Sequence, residues 1–173
     1  MTLPPSRINL KSKNTELLTS GQVYQYALRL LTGRDYSVAG IRRKLAAREV
    51  ATQDLDDAIL RLQREGLLDD ARYAERFAES ALSSGRFYGA RLRLEMRRRG
   101  FDAALVSTVL ETIIFPSDEV ADIAALVERR FHQFSFTSAA ERDRRRVISF
   151  LLRRGFGISA VMRALRESQP SGD

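Results

Sequence analysis

The chain has 173 residues, 44% of them hydrophobic, a formal net charge of +7 and a pI near 10.3. Cysteine is absent, which excludes disulfide frameworks and thiolate catalysis and suits a reducing cytoplasm; no apolar run approaches the roughly 18 residues of a membrane span. The basic balance favours polyanions or an acidic protein surface as partner, and arginine supplies nearly all of it, lysine standing only at Lys11, Lys13 and Lys44.

In chain order, residues 1–20 carry Pro4, Pro5 and scattered polar residues without periodicity, and read as a disordered leader with no continuous apolar stretch of a secretory signal. Helical spacing governs the rest of the chain. Val23, Ala27, Leu30 and Leu31 form a first apolar stripe that ends near Gly33. Ser37 can cap a second helix running to about Val50. Thr52 or Asp54 starts a third, with Leu55, Ala58, Ile59 and Leu62 inward, and Gly66 suits its left-handed stop, with Leu67 folding back onto the last turn.

The cycle then restarts. Asp69 or Asp70 caps a helix with Ala74, Phe77, Ala78 and Ala81 inward, closed by Ser83-Ser84-Gly85. Next come an arginine-rich helix ending at Gly100 and a helix bearing Leu105, Val109 and Ile113. Pro116-Ser117 breaks the chain, and Ser117 or Asp118 caps a helix with the stripe Val120, Ile123, Ala124, Val127 and Phe131. Residues 132–141 form a longer connection, another arginine-rich helix begins near Glu141, and Ile158, Val161, Met162 and Leu165 line the last one. The tail over 168–173 is expected to fray.

One pattern recurs three times. Ile41, Leu45 and Glu49; Leu92, Met96 and Gly100; Val147, Leu151 and Gly155 are each spaced by four, and arginines fill the positions between. The third member stops the helix, and the stops stand 51 and 55 residues apart, a period of repeat architectures. The spacing predicts an all-α chain of three tandem three-helix repeats over 21–68, 69–115 and 116–167, each too small to be stable without its neighbours. One irregular all-α domain is the alternative.

On a helical wheel with Leu92 inward, Met96 and Tyr88 fall on the same buried stripe. Arg93 and Arg97 lie on one flank, Arg91 and Arg98 on the other, and Leu94 points outward between them. An outward leucine rimmed by guanidinium groups suits an acidic, partly apolar protein surface better than bare phosphate. In the first repeat Arg42 and Arg43 point outward, with Lys44 to one side. In the third, Arg142, Arg145, Arg146, Ser149 and Arg153 hold a narrower polar side that can grip phosphates or carboxylates through planar forks. A charged helix face is ordinarily a solvated face. Three at equivalent repeat positions are better evidence of a binding surface, provided that the repeats align them.

Enzyme chemistry finds little support. His132 has no second ligand at metal spacing, no phosphate-binding loop of the Gly-x-x-x-x-Gly-Lys type occurs, and the carboxylates cluster at helix starts, where the dipole explains them. No cofactor or metal is expected.

The stretch Gly66-Leu67-Leu68-Asp69-Asp70-Ala71-Arg72-Tyr73-Ala74, with Ala27-Leu28-Arg29-Leu30-Leu31 upstream and the Gly85 to Gly100 segment downstream, resembles the RecX family of bacterial recombination regulators over roughly residues 22–167. The resemblance implies an elongated, curved tandem of three-helix repeats. It also implies a non-catalytic protein that binds the RecA recombinase on DNA in the groove of the filament, inhibits ATP hydrolysis and strand exchange, and favours disassembly. Gly40 departs from the family's usual acidic residue and so weakens a capping box at Ser37. A cytoplasmic monomer with RecA as partner is thus the leading expectation, single- or double-stranded DNA being left open as a further partner. The alternative is a helical protein that binds DNA or RNA directly through its arginines, although no helix displays a set of base-reading side chains.

Overall fold

The computed structural model describes residues 18–114 and 118–167. Among them the chain forms nine helices and no strand: α1 Ser20–Gly33, α2 Val38–Ala46, α3 Thr52–Arg64, α4 Asp70–Ser83, α5 Gly89–Arg99, α6 Ala103–Ile114, α7 Glu119–Arg130, α8 Glu141–Arg154 and α9 Ile158–Glu167. In each successive triplet the outer two helices pack together, α1 on α3, α4 on α6 and α7 on α9, and the middle helix lies against the third. The result is all-α, three three-helix repeats in tandem.

Three separate cores follow from the apolar stripes. The first gathers Val23, Ala27, Ile41, Leu45 and Leu62. The second is built on Ala74, Ala78 and Ala81, whose small side chains let α6 approach α4, and is filled by Leu92, Met96, Phe101 and Val106. The third holds Ile123, Val147, Leu151, Val161 and Leu165. Burying each large aliphatic side chain contributes about 1.5–3 kcal/mol, but each core is that of a very small domain, so contacts between repeats matter.

Several local expectations change. Helix α2 ends at Ala46, short of Val50, because Leu45 is its last inward residue; the Arg48 N–H then closes a turn on the Leu45 carbonyl at 2.9 Å. Helix α3 starts after Ala51 without a side-chain cap, so neither Thr52 nor Asp54 fills that role. Past Gly66 it is Leu68 that closes the core, while Leu67 is 45% exposed, because both N–H groups turn back onto the Leu62 carbonyl. Ile158 is likewise outward, and Ala160, Val161, Ala164 and Leu165 form the inner face of α9. Tyr88 is buried, but in the third core instead of the second: as N-cap of α5 it stacks on Phe156 at 4.6 Å.

Asp69 caps α4 through the Arg72 N–H at 3.0 Å, and Asp118 caps α7 through the Val120 N–H at 2.9 Å. Leu18 and Thr19 are tied in, Leu18 N–H to the Glu49 carbonyl at 3.2 Å and Thr19 N–H to Gln22 Oε1 at 2.9 Å. Residues 1–17 of the expected leader, the tail over 168–173 and the Pro116-Ser117 break lie outside the described residues.

Candidate partner-binding surface

The repeats meet through their arginine-rich middle helices. Ser37, the buried N-cap of α2, accepts the Gly40 N–H at 3.0 Å and donates its hydroxyl proton to the carbonyl of Arg99 at the end of α5. The Val38 N–H donates to Asp70 Oδ1 of the second repeat at 2.8 Å. Asp70 thus brings a carboxylate from the neighbouring repeat to the start of α2, on the Val38 N–H and not on the Ser37 N–H that an acidic residue at position 40 would take. Half-burial pushes the Asp70 carboxyl above its ordinary range, although the Val38 N–H opposes the rise. At the second junction the Tyr88 N–H donates to the Arg154 carbonyl at 2.7 Å, and the Arg154 guanidinium donates back to the Gly85 carbonyl. Arg129 adds a bond to the Ser84 carbonyl at 3.1 Å.

Glycine is required at both meeting points. Gly100 and Gly155 cap α5 and α8 in the left-handed conformation, at φ 95° and 102°. A Cβ on Gly100 would lie 2.7 Å from Ala39 Cβ, and one on Gly155 would overlap the Tyr88 carbonyl oxygen. The end of α8 therefore abuts the start of α5, and the end of α5 abuts the start of α2. The three basic helices form a head-to-tail row in reverse chain order, with the negative end of each dipole against the positive end of the next.

Within that row the arginines are not equally free. Arg91, Arg98 and Arg99 converge on Glu95 at 2.7, 3.1 and 3.4 Å, so one flank of α5 is partly neutralised by a carboxylate the wheel left out of account. On the other flank Arg93 donates to Ser107 Oγ at 3.0 Å and Arg97 to the Phe101 carbonyl at 2.8 Å, and neither makes a direct ion pair among the described residues. After the Ala104 N–H, which does most, the Arg97 charge helps hold the Asp102 carboxyl below its ordinary range. Leu94 is 44% exposed between the flanks.

Arg42 pairs with Asp56 at 2.6 Å, whereas Arg43 is exposed and turns toward Gly100 at the first junction. In the third repeat Arg145 pairs with Glu141 at 2.8 Å, both well exposed; such a pair contributes little to stability. Arg153 is exposed, and Arg146 lines a separate recess beside His132 and Asp143. The structure brings Arg43 and Arg98 together in one cleft at the first junction, joined there by Arg34, Lys44 and Arg99. Arg34 and Arg99 escape a sequence reading because that cleft spans two repeats; the one available signal is the run Arg97-Arg98-Arg99 ahead of Gly100. Glu95 lies outside the cleft lining and is signalled by its spacing of four from Arg91 and Arg99 and of three from Arg98.

At the second junction burial holds the Arg154 guanidinium below the usual arginine range, and Arg130, Arg129 and Arg86 press it further down. Both junctions are therefore centres of positive charge. Among the described residues no group of acidic, histidine or cysteine side chains is arranged to hold a metal ion, and no helix is long and apolar enough to cross a membrane.

Residues 24–62 match the model of the first three-helix domain of RecX. The regulatory protein RecX of Trichlorobacter lovleyi is 47% identical over 133 residues, covering 77% of this chain and 86% of the relative. That of Thermus thermophilus is 36% identical over 149 residues, covering 86% and 93%. The crystal structure of RecX from Lactobacillus salivarius shares the fold with a TM-score of 0.68 at 18% identity, over 86% of this chain and 96% of that one. By identity and coverage with these relatives, the chain belongs to the RecX family of regulatory proteins.

Proposed function

We propose that this chain is a non-catalytic, cytoplasmic regulator that binds the RecA–DNA filament as a monomer, inhibits ATP hydrolysis and strand exchange, and promotes disassembly. Its binding units are the repeats over 21–68, 69–115 and 116–167. The observation that carries the reading is the head-to-tail row of α8, α5 and α2, which sets Arg145, Arg146 and Arg153, then Arg91, Arg93, Leu94, Arg97 and Arg98, then Arg42 and Arg43 along successive modules of one molecule. A helical filament offers the same surface at regular intervals, and linked modules that engage neighbouring copies gain affinity without strong individual contacts. The unpaired Arg93–Arg97 flank and the outward Leu94 form the central contact, a mixed basic and apolar patch fitted to an acidic protein surface.

ATP hydrolysis by the cognate recombinase on single-stranded DNA, titrated with this protein, tests the reading. Inhibition at substoichiometric ratios is the expected result. Unchanged hydrolysis at equimolar protein removes the filament as the target.

A further inference from the structure

A further concentration of positive charge lies where the first repeat meets the second. A cleft of about 670 Å³ runs between the α1–α2 turn, α2 and the last turn of α5, lined by five cations, Arg34, Arg43, Lys44, Arg98 and Arg99, against the single carboxylate of Asp35. Asp35 is engaged by Arg76 at 2.7 Å. Glu95 serves Arg98 and Arg99 but is shared with Arg91, three guanidinium groups on one carboxylate. Arg43 and Lys44 have no ion-pair partner among the described residues. The ends of α5 and α2 each contribute roughly half an elementary negative charge through their dipoles, and with Glu95 they offset only part of the five positive charges, so the cleft stays net positive.

We propose that this cleft binds the phosphodiester backbone of a single-stranded nucleic acid. Beyond its charges the lining consists of Tyr36, Tyr73, Ser37, Gly40 and Ala47. It offers no aliphatic side chain larger than alanine, so a protein segment finds no pocket for an apolar anchor there. Phosphate oxygens find what usually holds them: guanidinium forks, an ammonium group and tyrosine hydroxyls. Arg34 is already stacked over the Tyr36 ring at 4.6 Å, which fixes its orientation before a ligand arrives. A recessed basic groove with aromatic rings in its wall suits an unpaired strand better than the convex surface of a duplex. This inference goes beyond the filament reading, with which it shares Arg43 and Arg98, while Arg34 and Lys44 belong to the cleft alone.

The test is anisotropy of a fluorescein-labelled oligothymidylate titrated with the full chain across a salt series. The triple variant Arg34→Gln/Arg43→Gln/Lys44→Gln should reduce the slope of log K against log[salt] by about 2, at roughly 0.7 for each phosphate contact on a single strand. The control Arg64→Gln/Arg163→Gln/Arg166→Gln removes the same charge from exposed positions away from the cleft and should leave the slope unchanged. An equal drop in the control overturns the proposal in favour of diffuse net charge. Equally tight binding of a duplex overturns the single-strand assignment, and equal competition by polyglutamate reassigns the cleft to an acidic protein segment. Should the triple variant not fold, Arg34→Gln and Lys44→Gln separately, both at exposed positions, should each lower the slope by about 0.7.

Discussion

Leu92 and Met96 are both fully enclosed in the second core. Truncating either to alanine leaves a cavity that the small alanines of α4 cannot fill, so Leu92→Ala or Met96→Ala should destabilise by about 2–5 kcal/mol; an unshifted urea midpoint would refute the packing. Another single-residue effect concerns pH. Glu65 accepts hydrogen bonds from the Tyr24 hydroxyl and from Arg61 Nε, and chiefly the tyrosine bond holds its carboxyl below the ordinary glutamate range. A depressed folded-state value means that stability is fully present above the unfolded value near 4.5 and is lost as pH falls through the folded one. Glu65→Gln should therefore lower the melting temperature at neutral pH, and its curve should converge on that of the parent as the solution is acidified. Parallel melting curves down to the acid limit would remove Glu65 from the pH response.

At the scale of the helix, the apolar spacing carried most of the information. Ile41 with Leu45, Leu92 with Met96 and Val147 with Leu151 are buried pairs one turn apart, and this period told helix from strand and inside from outside. Helix ends were harder to read, because their partners come from elsewhere in the chain. The missing acid at Gly40 looked like a defect in α2, yet Asp70, 32 residues beyond Val38, supplies a carboxylate to the same helix start. Tyr88 satisfied the wheel of α5 and still went to a different core, since a wheel contains no neighbouring repeat.

The capping glycines allow a direct comparison. Gly66→Ala meets nothing within 4 Å and should cost about 1–2 kcal/mol of left-handed strain. Gly155→Ala adds a collision with backbone that cannot swing aside, so it should cost clearly more. It should also speed hydrogen exchange of the Tyr88 amide as the third repeat is pushed from the second. Equal costs for the two substitutions would show that the junction yields freely.

Over the whole molecule, three clusters of arginine were evident in the sequence, but their alignment was not, because it depends on how one repeat turns on the next. The pairing of Arg91, Arg98 and Arg99 with Glu95 shifts the emphasis to the opposite flank of α5. Reversing Arg93 and Arg97 to glutamate should accordingly weaken inhibition of the recombinase while far-ultraviolet circular dichroism stays unchanged. Full inhibition by that variant would take the middle repeat out of the contact. The Gly155→Ala variant extends the same argument: if a fixed spacing between modules underlies the avidity, inhibition should fall although no arginine has changed, and intact inhibition would show that spacing is immaterial.

The reversed order of the helix row has a consequence for synthesis on the ribosome. The start of α2 is completed by the carbonyl of Arg99, 62 residues later, and by the side chain of Asp70. At about 5–20 residues per second, roughly 3–12 s separate translation of Ser37 from that of Arg99. During this interval the nascent first module can collapse around its own apolar residues, yet the start of its basic helix lacks those partners. The same dependence passes from the second module to the third through Arg154. The start of α8 receives no such bond from a later repeat among the described residues; it opens without a side-chain cap, with Glu141 and Asp143 in its first turn meeting the positive end of the helix. Among the described repeats, completion thus runs backwards along the chain, each newly made unit supplying the partners that finish the helix start of its elder.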